Sequence, residues 1–595
     1  MEGSEDSMLF PISQMTREHN KSRSKPVEKK NYKKLKLRCT CKKYDSNKRE
    51  FHHCKYPISN CDFKYGTVFI CKPGYYYLTC DISYKPSENS DIAILIKSND
   101  VTLDLCGHRL KQTGSEEKIV AIRIHEGSDN VTILGNNGII RDFTGIGIQV
   151  DGFTNKIKID NLKVTDCGFS SSNSEDTDFV GGIAFGGPNN HSNLVNPDPV
   201  IEVQITNCKI LNNNYVGLFL FKVNNVNISG CNVNGTKGST RYGISTVSSE
   251  NLSCFSSKNI NITDSTFNDM TNIEPDSLDS LWFRSSLYNS KNVNITRCTF
   301  NNNNINMGIV KSVGISGGQI TALYIVGSDT VYLNQCTFND NMASHRVYGM
   351  AIAGSNNIFL NNCSANNNKL VCDADKGGRT DLRTYGHYCW DNSKNIVYNN
   401  CTANGNTSEL LVGCAAKLQS VYTTGFDLYN VNDSTIINSI SNNNSMVINN
   451  ELIDIEIARV AGVIISNGSK SNLIQNLQSK NNRVVDKIET GIGEAYGIWV
   501  LIKSSDNVIT NSIISGNTHS GISLGDKSGS LNDVRNTVID GNKILGNFGP
   551  GIKIYPGTDE VVITVIRDNL ISSNAGGISD SQPSTVLLGN NIFNN

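Results

Sequence analysis

The chain has 595 residues, 54 Lys and Arg against 55 Asp and Glu, a net charge of −1, and only 18% charged residues; Asn alone numbers 80. So little charge, with this much Ile and Val, excludes a chain disordered throughout. No apolar run approaches the ~18 residues of a membrane-spanning helix, so no membrane span is expected. Length alone suggests three or four globular domains.

From the N-terminus, Met1–Gln14 lacks an apolar stretch behind basic residues, so no ordinary secretory signal is visible. Arg17–Lys55 carries fifteen Lys/Arg against four Asp/Glu. Residues 1–65 are therefore expected to form a basic, partly disordered arm, suited to nucleic acid, an acidic surface or the chain's own acidic body. Lys33–Arg38 also has the composition of a nuclear import patch. Cys39, Cys41, Cys54 and Cys61, with His52 and His53 nearby, are candidate zinc ligands. The paired CxxC of a zinc ribbon is missing, and disulfides or plain thiols remain open for these cysteines.

Beyond the arm one phrase recurs: an alternating apolar segment, then Asn or Asp, then Cys or Ser. It is VTLDLC at Val101–Cys106, VQITNC at Val203–Cys208, VNISGC ending at Cys231, VNITRC at Cys298, VYLNQC at Cys336, IFLNNC at Cys363 and IVYNNC at Cys401. A Gly-led alternating phrase precedes most copies, clearest at Gly349–Asn357, with relatives at Gly425, Gly497, Gly521 and Gly551. Period-two alternation predicts strands. A short unit repeated at variable spacing, unable to bury its apolar side alone, predicts stacked coils. The expected fold is all-β, a solenoid over 66–595, about a dozen or more coils at ~4.8 Å each, replacing the several domains. Asn tolerates left-handed backbone and is expected at the bends, with stacked amides forming ladders. The repeated Cys are expected as a column of buried thiols, which fits synthesis in a reducing compartment such as the cytoplasm.

These phrases, with Pro73–Leu78 leading into Val101–His108, resemble the right-handed parallel β-helix of the pectin-lyase-like superfamily. The abundance of Asn, Lys and Ile further resembles β-helix proteins of giant DNA viruses of amoebae. The first resemblance implies a polysaccharide lyase or glycoside hydrolase as one reading. Thr424–Asp427, His519–Gly525 and Gly551–Tyr555 echo the Asp, His and basic segments of galacturonase-type sites. Asp427, His519 and Lys553 are thus the catalytic candidates. Yet the place one coil before His519 reads Tyr496–Val500, where paired Asp should stand, and glycoside cleavage uses two carboxylates. Glu451, Asp454 and Glu456, near Arg459, form a further acidic run that could hold calcium or another cation, though no cofactor is required by the pattern.

Positions two and four after the leading Gly are expected to face outward. That places Asp427, Tyr429, Trp499, Lys553 and Tyr555 outside, with Trp390 nearby, as an amphipathic surface for stacking sugars. The expected role is therefore a non-catalytic rod, structural or on a surface, that binds a polysaccharide, a glycan or another structural protein. A virion component and a homotrimer are consistent with this expectation.

Overall fold

The computed structural model describes residues 55–595, except 88–89, 117, 169–180, 187–198, 242–243, 273–279, 306–317, 373–380, 412–416, 450–453, 487–492, 527–533, 557–563 and 582–584. Cys39, Cys41 and Cys54 lie outside the described residues, as does Glu451.

The described chain winds as a right-handed parallel β-helix, the hand usual for parallel crossovers. Each coil runs through three sheets. Sheet I holds the recurrent phrase, for example Val101–Asp104. Sheet III follows, as at Arg109–Gln112, then sheet II, as at Val120–Ile124, before the chain returns to sheet I at Val131–Leu134. Sheet I stacks 18 strands, a rod of about 80 Å at ~4.8 Å per coil. Strand Lys55–Ile58 already pairs in parallel with Gly74–Leu78, so the coil begins inside the segment assigned to the basic arm.

Alternation works as expected in sheet I. In Lys291–Thr296, Val293 and Ile295 are buried while Asn292 and Asn294 face water. The inward residues of all three sheets form one continuous apolar core from Ile58 to Ile571. Of 51 non-Gly residues with positive φ among the described residues, 26 are Asn. Many sit where sheet I ends, such as Asn207, Asn362, Asn400 and Asn438. The left-handed turn is what this residue type tolerates best among those with a side chain.

A second use of Asn lies inside. Asn303, Asn341, Asn368, Asn406, Asn444, Asn482, Asn517, Asn547, Asn574 and Asn595 form one amide ladder, each Nδ2 donating to the next Oδ1 at 2.8–3.2 Å. The cysteines that follow sheet I at Cys208, Cys231, Cys298, Cys336, Cys363 and Cys401 are buried free thiols, whereas Cys106 is exposed. They do more than fill space: Cys208 Sγ donates to the Thr206 carbonyl at 3.2 Å, and Cys336 Sγ to Ile295 in the preceding coil at 3.4 Å. Cys372, outside this column, is disulfide-bonded.

The solenoid carries one element its repeat did not announce. In the middle of the chain sheet III thins to single bridges, such as Thr299↔Thr337. A five-stranded sheet instead projects sideways: Met342–Ala343, Lys369–Cys372, Thr407–Leu410, Ser445–Ile448 and Arg483–Asp486. The sheet II strands lengthen to match, reaching 13 residues in Lys417–Tyr429 and Asp454–Ser466. Their first halves pack on the projecting sheet around a separate core that includes Leu370, Leu410, Leu418, Val421, Met446 and Val460. The result is a lateral fin on the shaft.

Candidate functional site

Each long sheet II strand serves two cores, the fin's with its first half and the shaft's with its second. Glycine stands at the change: Gly349, Gly386, Gly425, Gly462 and Gly497. A Cβ on Gly497 would lie 2.3 Å from Ile514 Cγ2 and 2.6 Å from the Gly521 carbonyl, so only Gly fits the close coil stacking there. At this point the strand bends. Residues three apart, which a regular strand would put on opposite faces, meet in the concave angle of the bend, away from the shaft core: Tyr385 and Tyr388 at 4.7 Å between ring centroids, Tyr496 and Trp499 at 5.0 Å.

The inside of the bend runs along the rod, and its residues stand in register from coil to coil. On the fin side, three residues before each Gly, come Arg346, Arg383, Tyr422, Arg459 and Glu494. One before each Gly come Tyr348, Tyr385, Thr424, Ala461 and Tyr496. On the shaft side, two after Gly, come Ala351, Tyr388, Asp427, Ile464 and Trp499.

Two polar centres divide this groove. In the first, Asp381 accepts from Arg383 Nε at 2.7 Å, Arg346 Nη2 at 3.0 Å and Ser420 Oγ at 2.6 Å. Burial pushes the Tyr385 hydroxyl well above its ordinary pKa, and nearby Asp427 adds to this. Trp390 stacks on Tyr388 at 4.5 Å and on Tyr324 at 5.6 Å. In the second, Arg459 Nη2 donates to Asp526 Oδ2 at 2.7 Å, its Nε lies 3.5 Å from Glu494 Oε2, and its guanidinium lies over Trp499 at 4.4 Å. Tyr496 donates to Glu494 at 2.5 Å. Tyr555 joins from two coils further on; burial, then Glu494 and Asp526, push its pKa up to about 12. Ser520 and Ser523 are buried here, and their hydroxyls have no hydrogen-bond partner.

The expected site residues are dispersed by this geometry. Asp427, Tyr429, Trp499, Lys553 and Tyr555 do face away from the shaft core. Asp427 and Lys553 share one column but stand four coils apart, about 19 Å. His519 meets Tyr496 edge-on at 5.2 Å, three coils from Asp427. Asp427, His519 and Lys553 therefore do not converge on one bond. The aromatic surface also differs from expectation. Trp499 is 1% exposed, with its indole N–H donating to the Gly525 carbonyl at 2.8 Å, and Tyr555 is 7% exposed. Of the four expected contact rings, Trp390 and Tyr429, in successive coils, are half-buried. The reason is lateral stacking: rings in adjacent coils cover one another, as with Phe221, Phe255 and Tyr288. Arg459 turns to Glu494 and Asp526, while Glu456 faces solvent on the same strand. Cys61 is exposed in a short 3-10 turn, Asn60–Phe63, and no cluster of three metal-ligating side chains occurs among the described residues.

Arg346, Arg383, Glu494 and Asp526 escaped the sequence reading. The signal for three of them was present as Arg346-Val-Tyr-Gly349, Arg383-Thr-Tyr-Gly386 and Glu494-Ala-Tyr-Gly497. Each places a charge and a tyrosine immediately before the bend. Asp526 has no such signature, because it enters from a turn two coils away.

A family model described as right-handed β-helix region matches residues 417–593. No curated protein matches the chain significantly. Among solved structures the chain is similar to the periplasmic alginate epimerase AlgG, at 12% identity over 78% of this chain and 77% of that chain, TM-score 0.29. It is similar to the A-module of Azotobacter vinelandii mannuronan C-5 epimerase AlgE6, at 12% identity over 87% and 91%, TM-score 0.27. It is also similar to DFA-IIIase from Arthrobacter chlorophenolicus A6 without its lid, at 12% identity over 81% and 98%, TM-score 0.28. At such identities and scores these likenesses say nothing of the groove's chemistry.

Proposed function

We propose that the protein is a β-helix rod that binds a linear polysaccharide along the bend between shaft and fin. One observation carries this: positions along the bend stand in register from coil to coil at ~4.8 Å, and rings, carboxylates and guanidiniums occupy them in two clusters, around Arg383 and around Arg459. A polymer of repeating sugar units, each with an apolar face and a rim of hydroxyls, is the ligand such a ladder suits. Trp390 and Tyr429, half-buried beside Asp427 and the Arg346–Asp381–Arg383 network, are the contact positions. This role is structural or adhesive, and a virion surface is one setting for it. The test is affinity electrophoresis through gels loaded with neutral and uronate polysaccharides. Retardation by at least one polymer, relieved in Trp390→Ala/Tyr429→Ala, supports the proposal. Free migration in every gel removes it.

A second reading follows from Glu494 and Asp526, which meet on Arg459 beside Tyr496. Two carboxylates close together, with a tyrosine bonded to one, are the equipment for acid–base cleavage of a glycosidic bond. Release of reducing ends or unsaturated products from a bound polymer, abolished in Glu494→Gln and Asp526→Asn, would favour a hydrolase or lyase over a passive rod.

A further inference from the structure

The outer face of sheet I changes character along the rod. Each strand turns one residue outward between two buried apolar ones, and these outward residues stand in a single column. In the earlier coils the column is polar, as at Thr132, Lys158, Gln204, Asn227 and Asn294. From Tyr332 it turns apolar and runs through Phe359, Val397, Leu473 and Val508 to Val565, interrupted only by Thr435. Tyr332 is 48% exposed and stacks on Phe359 at 5.0 Å; the others are half-buried. Strand preference would favour such residues in every coil alike. A change confined to one stretch of the rod instead marks a contact surface.

Charge borders this stripe on one side. Lys394, Asp433, Lys470 and Asp506 follow one another in successive coils, where the chain enters each sheet I strand. Lys394 Nζ lies 3.3 Å from Asp433 Oδ2 and Lys470 Nζ 3.7 Å from Asp506 Oδ2, with all four side chains 38–60% exposed. The opposite border is neutral over the same coils: Asn399, Ile437, Gln475 and Thr510. A ladder of alternating sign and even length complements itself when reversed, since plus-minus-plus-minus read backwards is minus-plus-minus-plus. A two-fold axis across the rods therefore sets Lys394 against the partner's Asp506 and Lys470 against the partner's Asp433, with the apolar stripes face to face. A two-fold axis along the rods would set the ladder against the neutral border and leave its charges unmatched. Eight stacked strands make the stripe about 34 Å long, and a six-residue strand is about 20 Å wide, so the contact buries roughly 700 Å² on each copy, within the usual range for a stable interface.

We propose that this face of sheet I is an interface at which a second copy of this chain packs side by side and antiparallel about a two-fold axis. The groove lies on sheet II and stays open in both copies, so the pair presents two grooves running in opposite directions.

Sedimentation and light scattering of the full chain over a wide dilution series test this. The expected particle holds two 65.0 kDa chains. Leu473→Glu, in the middle of the stripe, should halve the mass. Because that change could disturb the strand itself, the charge ladder supplies an independent test. Lys394→Glu with Lys470→Glu makes the ladder uniformly negative and should also halve the mass. Adding Asp433→Lys and Asp506→Lys inverts every sign, which restores self-complementarity and should restore the dimer. Exposed pairs of this kind contribute little to folding, so both ladder variants should melt with the wild-type shaft. A monomer at every concentration, a trimer, a dimer that survives Leu473→Glu or the uniformly negative ladder, or an inverted ladder that stays monomeric would overturn the proposal.

Discussion

Arg459 and Asp526 are 67 residues apart in sequence, yet Arg459 Nη2 donates to Asp526 Oδ2 at 2.7 Å with both side chains almost wholly buried. The pair ties together three successive coils, since Glu494 of the intervening coil also faces the guanidinium. Breaking one partner of a buried ion pair leaves uncompensated charge, at a cost of about 3–5 kcal/mol. Arg459→Ala should therefore lower the melting temperature markedly. Adding Glu494→Gln and Asp526→Asn to it should recover part of the loss. An unchanged melt in Arg459→Ala would mean the carboxylates are hydrated rather than paired.

The internal amide ladder gives a graded prediction. Asn444 accepts from Asn406 and donates to Asn482, both at 3.0 Å, and is fully buried. Asn444→Ala strands partners in two neighbouring coils and should cost about 1–3 kcal/mol. Asn438 donates to the Asn399 side chain at 3.2 Å on the exposed face, so Asn438→Gly, which keeps the left-handed turn available, should cost only a few tenths. Urea unfolding of the two variants in parallel checks the contrast.

Gly497→Ala probes the bend. The added methyl would meet Ile514, the Gly521 carbonyl and Asn517 at 2.3–2.9 Å, and overpacking of this kind costs about 1–3 kcal/mol. Gly468 has open space around its Cβ direction, and its φ of +80° is the only penalty on Gly468→Ala. Thermal melts should rank Gly497→Ala as the more damaging. Equal effects would show that the coils can spread at the bend.

His387 predicts a pH dependence. It lies in the shaft core, stacked on Phe426 at 5.0 Å, and burial pushes its pKa down to about 3. Below its ordinary value of 6.5 the unfolded chain takes up a proton that the folded chain refuses. The folded state's advantage is thus full above about 6.5 and is lost as pH falls toward about 3. His387→Phe, which keeps a ring against Phe426, should flatten the acid limb of a stability–pH curve. A curve parallel to that of the wild-type chain would assign the acid sensitivity to carboxylates alone.

The sequence by itself determined the solenoid. Period-two alternation in segments such as Val293–Ile295 and the returning Cys and Gly can be satisfied only by stacking like coils, because inward residues find their partners at the same place in the next copy. It also determined where Asn turns the chain, since left-handed backbone is a local property of single residues. Tertiary structure decided what lies beyond the repeat. The fin arises because strands such as Lys417–Tyr429 exceed the shaft's width and must bury their first halves elsewhere, which no local period reveals. The groove was half legible, in the tyrosines and charges before each bend glycine. Its second polar centre was not, because Asp526 reaches Arg459 through the coil pitch, and the pitch is a property of stacked chains rather than of any stretch of sequence.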